Sequence, residues 1–266
     1  MAYQSDLIFD IGLHKGEDTR YYLAKGFRVV AVEASPALAR DAEDVLRESV
    51  QSGQLTIVQV AISKREGPVR LYTSSASEWN TTLPDWNRRN QAIGATTLEI
   101  IEVPGMCFES LIKRYGVPYF LKIDIEGADM LCLEGLHRPD IPRFVSIESN
   151  KTDWIELRRE FDVLQALGYR RFKVVPQQRM HSQVPPEPAR EGKYVAWRFE
   201  HMSSGMFGDE APGRWMSARE ALALYRSIFL RYRMFGDDGR LRGTRRGILL
   251  QTLLRGPGWY DTHAAC

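Results

Sequence analysis

Apolar and polar positions follow two rhythms along the first two-thirds of the chain. Short runs rich in β-branched and aliphatic residues occur at 6–12, 28–33, 55–62, 119–124 and 143–148, each brief enough for a buried strand. Between them the spacing turns helical: 17–25, stopped by Gly26; 36–50, opened by Pro36 with Leu38, Ala42, Val45 and Leu46 on one side; 107–115; 128–136; and 153–167, ended by Gly168. Strands alternating with helices predict an α/β fold, a mostly parallel twisted sheet with helices on both faces. A turn at 66–68 pairs 69–72 with a neighbour, and 98–103 reads as another short strand. Segments 170–175 and 194–199 read as a closing pair around a proline-rich loop, which adds an antiparallel edge strand. Residues 74–96 are polar, hold Trp79 and Trp86, and show no period, as expected of a loop or lid.

After Glu200 the pattern changes. A glycine- and serine-rich loop leads to one strong helix at 217–235, where Glu220 stands three residues after the capping Ser217. The expected division is therefore a domain over 1–199 and an arginine-rich extension over 200–266 that packs on it and shapes an acceptor site. Charge sharpens this. The net charge of +2 over 266 residues predicts neither a nucleic-acid binder nor a membrane-surface protein, but residues 1–213 sum to −4 and residues 214–266, with ten arginines and no lysine, to +6. No apolar run approaches the roughly 20 residues of a membrane span, and the polar start lacks the marks of a signal peptide. Cys107, Cys132 and Cys266 have no metal-type spacing, which points to a reduced, cytoplasmic chain.

The candidate chemistry lies in the first strand-to-helix turn, Asp10-Ile11-Gly12-Leu13-His14-Lys15-Gly16. In a doubly wound sheet this turn meets a cofactor, and Glu33, at the end of the second strand, is placed to take the hydroxyls of a ribose. Leu13-His14 breaks the G-x-G-x-x-G needed for a dinucleotide. Asp10 suits the ammonium of a methionine moiety better than a pyrophosphate, by charge. Lys122, Asp124 and Glu126 alternate at the end of another strand, where one face carries all three.

The segments DIGLHKGEDT, VVAVEASP, AISKREGPVRLY and LKIDIEGAD, in that order over roughly residues 6–175, resemble the FkbM family of S-adenosylmethionine-dependent methyltransferases. The resemblance implies a Rossmann-like class I methyltransferase fold and an O-methyltransferase acting on a hydroxyl of a sugar or other small metabolite. It implies that Asp10, Gly12, Gly16, Glu33, Ala61, Ile62 and Asp124 surround S-adenosylmethionine, and His14 sits in the same cofactor loop. Many members carry Ala-Asn where this chain has Leu13-His14, which leaves the role of residue 14 open.

Transfer to a hydroxyl needs a base or a cation. The candidates for the catalytic work are Asp124, Glu126, His14 and Lys122, and Asp124, Glu148 and Asn150 could converge on Mg²⁺. His201 and His263 are expected to be surface or structural residues. Arg226, Arg231 and Arg233 on the last helix, with Arg240, Arg242, Arg245 and Arg246 beyond it, suit a clamp on an anionic or glycoside acceptor, or a solvated face. An RNA-modifying methyltransferase using this basic tail, and a non-catalytic nucleotide- or partner-binding module, are the alternatives. Nucleic acid is the less expected partner.

Overall fold

The computed structural model describes residues 3–150, 153–235 and 258–266. In chain order the elements are β1 (Gln4–Ile11), α1 (Glu17–Ala24), β2 (Arg28–Val32), α2 (Pro36–Val45), α3 (Arg47–Gln51), β3 (Leu55–Val58), β4 (Ala61–Ile62), β5 (Gly67–Ser74), α4 (Pro84–Ala92), β6 (Thr97–Met106), α5 (Phe108–Tyr115), β7 (Pro118–Ile123), α6 (Met130–Glu134), β8 (Phe144–Glu148), α7 (Trp154–Leu167), β9 (Arg171–Pro176), α8 (Ala218–Phe235) and β10 (Tyr260–Ala265).

Seven strands form one sheet in the order β3-β2-β1-β7-β8-β10-β9, and β4-β6-β5 form a small second sheet. β1 pairs in parallel with both β2 and β7, and β7 with β8. β10 runs antiparallel to β8 and to β9, so the sheet ends in an antiparallel pair at the β9 edge. This is the mostly parallel, Rossmann-like arrangement with an antiparallel edge that the sequence predicts. One face is covered by Phe108 and Leu111 of α5, Leu157, Phe161 and Leu164 of α7, and Ala221, Tyr225 and Ile228 of α8. The other is covered by Tyr21, Tyr22 and Leu23 of α1, Ala42 of α2, and Phe199, Met206 and Phe207 from the segment before α8. No helix among the described residues is long and apolar enough to cross a membrane.

Several expectations are corrected. The partner of β9 is β10, from the end of the chain, and 194–199 forms no strand. Trp197 and Phe199 alternate as in a strand, but they spend that alternation on Tyr21 of α1, with ring centroids 5.6 and 4.8 Å away. β10 escapes a periodicity reading because all six of its residues are buried, Asp261 and His263 included. It lies inside the sheet, between β8 and β9. The single strand expected at 55–62 is split into β3 and β4, which belong to different sheets. The helix expected at 36–50 breaks at Leu46. The aperiodic stretch 74–96 contains α4, opened by Pro84; its buried residue is the polar Asn90, which hides the helical period. The extension helix forms as expected. Ser217 N donates to Glu220 Oε2 at 2.8 Å and Glu220 N to Ser217 Oγ at 3.3 Å, a reciprocal cap.

Candidate active site at the carboxyl ends of the parallel strands

The turn after β1 is held by the neighbouring strands. Gly12 N and Leu13 N both donate to Val32 O at 3.0 Å, and Asp124 N donates to Ile11 O at 2.9 Å. Gly12 has φ +97°, and a Cβ there would stand 1.9 Å from the carbonyl oxygen of Asp124, so only glycine lets the β1 and β7 ends close on each other. His14 also takes a left-handed conformation, φ 52°. Its backbone N–H donates to Glu33 Oε2 at 2.9 Å, while Ser35 N donates to Glu33 Oε1 at 2.8 Å. Burial raises the Glu33 pKa against these bonds. The carboxylate is thus fixed in direction at the tip of β2, with a remaining lone pair on each oxygen.

A pocket of roughly 810 Å³ of empty space, open solvent included, opens at this end of the sheet. Gly12, His14, Glu33, Ala61, Ile62, Lys122, Asp124 and Glu126 line it, together with residues that the sequence did not single out: Glu17, Asp18, Ser77, Glu78, Thr81 and Met202. Two expected cofactor residues do not line it. Gly16 is the left-handed cap before α1 and faces Leu46. Asp10 is fully buried beneath the turn, where Thr19 Oγ1 donates to its Oδ2 at 2.7 Å and Lys122 Nζ stands 3.1 Å from its Oδ1. The group covering the Asp10 charge is therefore Lys122.

Lys122 ties this floor together. It donates to Gly12 O at 3.0 Å and also approaches Asp18 at 3.5 Å and Asp124 at 3.9 Å. Burial alone would lower its pKa, but Asp10, Asp18 and Asp124 outweigh it and hold the ammonium charged. A lysine so held accepts no proton. Asp18 is pushed up to about 6, by burial against the pull of Lys122.

The LKIDIEGAD segment closes a tight turn after β7. Asp129 Oδ1 and Oδ2 accept from Ile125 N and Gly127 N, both at 2.9 Å, so Asp129, rather than Asp124 or Glu126, satisfies the backbone there. Glu126 has φ 49°, its carbonyl accepts from Thr81 Oγ1 at 2.9 Å, and the Trp86 indole lies against Gly127. The 74–96 segment is thereby laid over the β7 end. Burial first, then Glu148 and Asp124, raise the Glu126 pKa to about 9. Carboxylate oxygens of Asp124, Glu126 and Glu148 lie within 4.8 Å of one another. Asn150 uses its side-chain oxygen to accept from Asp153 N at 2.7 Å, ahead of α7.

His14 links the turn to the covering segment. Its Nδ1 lies 3.2 Å from Glu17 Oε1 and its Nε2 2.9 Å from Ser77 Oγ. Burial opposes the Glu17 charge, but the bonds from His14 and its own backbone N–H prevail and hold its pKa below the ordinary value. Arg226, Arg231 and Arg233 do not line the pocket. α8 turns Tyr225 and Ile228 to the core, and Arg226 lies over the Trp154 ring at 5.6 Å. Arg240, Arg242, Arg245 and Arg246 lie outside the described residues. His201 is exposed and His263 is buried in β10.

The sequence profile described as "Methyltransferase FkbM domain" matches residues 10–171, a stretch that runs from the end of β1 to the start of β9. No match to a curated protein was found. Among solved structures, the chain is similar to an S-adenosylmethionine-dependent methyltransferase from Archaeoglobus fulgidus (10% identity over 99% of this chain and 87% of that one, TM-score 0.42). It is also similar to an O-methyltransferase from Bacillus cereus in complex with S-adenosylhomocysteine (14% identity over 64% of this chain and 67% of that one, TM-score 0.36).

Proposed function

The chain belongs to the FkbM family of S-adenosylmethionine-dependent methyltransferases, and from that premise we propose that it methylates a hydroxyl of a sugar or other small metabolite. The pocket suits the cofactor by charge. Glu17, Asp18, Glu33, Glu78 and Asp124 line it against the ammonium of Lys122. Such a lining favours a ligand carrying sulfonium and ammonium charges and disfavours a pyrophosphate. It also disfavours an anionic acceptor. When bound, S-adenosylmethionine supplies a methyl group already activated by the sulfonium charge.

The protein's part is to bind, orient and move one proton. Glu33, aimed by the His14 and Ser35 N–H groups, takes the ribose hydroxyls. The Gly12 turn and Asp124 receive the methionine end, and Ala61 and Ile62 border the adenine. Lys122 acts by position, keeping Asp10 and Asp18 compatible with a closed floor. His14 is the base. The observation that carries this is the Glu17–His14–Ser77 chain: with ionised Glu17 accepting from Nδ1–H, the neutral imidazole has Nε2 left to accept from a hydroxyl at the position Ser77 Oγ holds, 2.9 Å away. An acceptor hydroxyl in the place of Ser77 gives its proton to Nε2 as its oxygen forms the new bond to carbon. S-adenosylmethionine, when bound, would keep the carbon–sulfur bond pair on its sulfur. Glu126, with its pKa raised to about 9, keeps its proton at neutral pH and is the weaker base candidate.

Calorimetry with S-adenosylhomocysteine tests the cofactor half. Binding should be saturable in the wild type and at least about tenfold weaker in Glu33→Ala, the loss of a charged acceptor. No binding to the wild type refutes the reading. The chemical half is tested by screening hydroxylated metabolites for methyl uptake. His14→Gln should lower kcat by about 10²–10⁴-fold with little change in cofactor affinity. An unchanged kcat would remove His14 from the role.

A further inference from the structure

We propose that the outer face of the β5–β6 pair docks a second copy of this chain, about a two-fold axis parallel to the strands. Successive residues of a strand point to opposite faces of the sheet. On the inner face of this pair Leu71 and Val103 are buried, with Val69 and Ile101 packed against them. The outer face carries Arg70 and Tyr72 of β5 and Leu98, Ile100 and Glu102 of β6. Leu98 is 64% exposed and Ile100 58%. Arg70 and Glu102 are exposed as well, and Tyr72 is half-buried. A sheet face turned to water ordinarily alternates to polar residues. This one holds two large aliphatic side chains and an aromatic one beside a pair of opposite charges, as a contact surface does.

The register of the two strands selects the occupant. Arg70 stands opposite Glu102, Tyr72 opposite Ile100 and Pro68 opposite Pro104. A two-fold axis running between the strands carries each member of such a pair onto the place of the other. When two copies pack face to face about that axis, Arg70 of each copy meets Glu102 of the other, and Tyr72 of each meets Ile100 of the other. Every contact is thus made twice, and the face is complementary to itself in charge and in apolar character. A face of one charge sign would repel its own copy; opposite charges on neighbouring strands attract it. The two sheets then lie with their strands aligned, an ordinary packing of sheet on sheet. The docked copy also lies behind the pocket's cover. β5 leads into that segment, Tyr72 N donates to Thr81 O at 2.9 Å, and Thr81 N returns to Tyr72 O at 3.2 Å. Leu71, on the inner face, lines the pocket itself. Association at Tyr72 therefore braces the cover from outside without adding a group to the chemistry.

Sedimentation equilibrium of the full chain tests this. The wild type should dimerise with Kd of about 10 µM or below. Ile100→Asp should weaken the dimer at least about tenfold by placing a carboxylate against the apolar strip. Leu98→Lys serves if Ile100→Asp melts unlike the wild type. The charges give the sharper result. Arg70→Glu leaves two acids on the face and Glu102→Arg two arginines, so each variant alone should dimerise at least about tenfold more weakly. An equimolar mixture of the two should form a heterodimer about as tight as the wild-type dimer, because both ionic contacts are then restored between unlike chains. A wild type still monomeric at about ten times the expected Kd overturns the proposal. So does a dimer unmoved by a natively melting Ile100→Asp or Leu98→Lys, or a mixture of the charge variants that associates no better than either alone.

Discussion

Asp18, in the first turn of α1, accepts the backbone N–H of Ser204 with both carboxylate oxygens, at 2.8 and 3.0 Å, across 186 positions of chain. The bond holds the segment before α8 against the cofactor turn and brings Met202 to the pocket's rim. A residue in the first helix thereby decides how a distant loop covers the site.

Asp18→Ala should loosen that cover. A hydrogen bond to a charged acceptor contributes about 1.5–3 kcal/mol, so S-adenosylhomocysteine should bind roughly tenfold or more weakly. Limited proteolysis should then cut first within 200–208. An unchanged cleavage pattern would show that the loop is held by other contacts, such as the burial of Met206 and Phe207.

Lys122→Met should cost about 3–5 kcal/mol of stability, because it leaves Asp10 buried with its charge uncovered. Adding Asp10→Asn should recover much of that loss, since the amide carries no charge to cover. Urea unfolding of the two variants decides it. A double variant no more stable than the single one would locate the loss elsewhere, in the Lys122 bond to Gly12.

His263 should make the fold acid-sensitive. Burial first, then Lys173, push its pKa down to about 3 from an ordinary 6.5. The folded state thus binds the proton more weakly than the unfolded one. Stability is full above about pH 6.5 and falls as the pH drops from there towards 3. At pH 5 this one group should remove about 2 kcal/mol. Melting curves between pH 7.5 and 5 measure it, and His263→Gln should flatten the slope. An equal slope in that variant would assign the acid sensitivity to other groups.

The arginines of α8 should matter little to the chemistry. Arg226→Gln, Arg231→Gln and Arg233→Gln combined should change kcat/KM for an identified small-molecule acceptor by less than about twofold, because the face of α8 that docks is the one carrying Tyr225 and Ile228. A large rise in KM would restore these arginines as an acceptor clamp.

The alternation of strands and helices in the parallel core was legible because β2, β7 and β8 are short, apolar and flanked by helical spacing, and that spacing arises locally. The same holds for Gly12, whose turn must be sharp, and for the Ser217–Glu220 cap, which spans three residues. The pocket's other residues were less legible. Glu17 and Asp18 read only as acids at a helix start, and Ser77 lay in a stretch without period. Asp10 was read by charge alone, and charge does not show that a lysine from another strand already covers it.

What this sequence determined by itself is therefore the alternation of elements, the cofactor turn and the family that shares them, each written in contiguous residues whose backbone needs are local. The tertiary structure alone decided that Tyr260–Ala265 completes the sheet, that Lys122 covers Asp10, and that Asp124, Glu126 and Glu148 meet. Those outcomes depend on strand order and register, which pair residues more than a hundred positions apart, and buried charge then selects which of the assembled groups keep their protons.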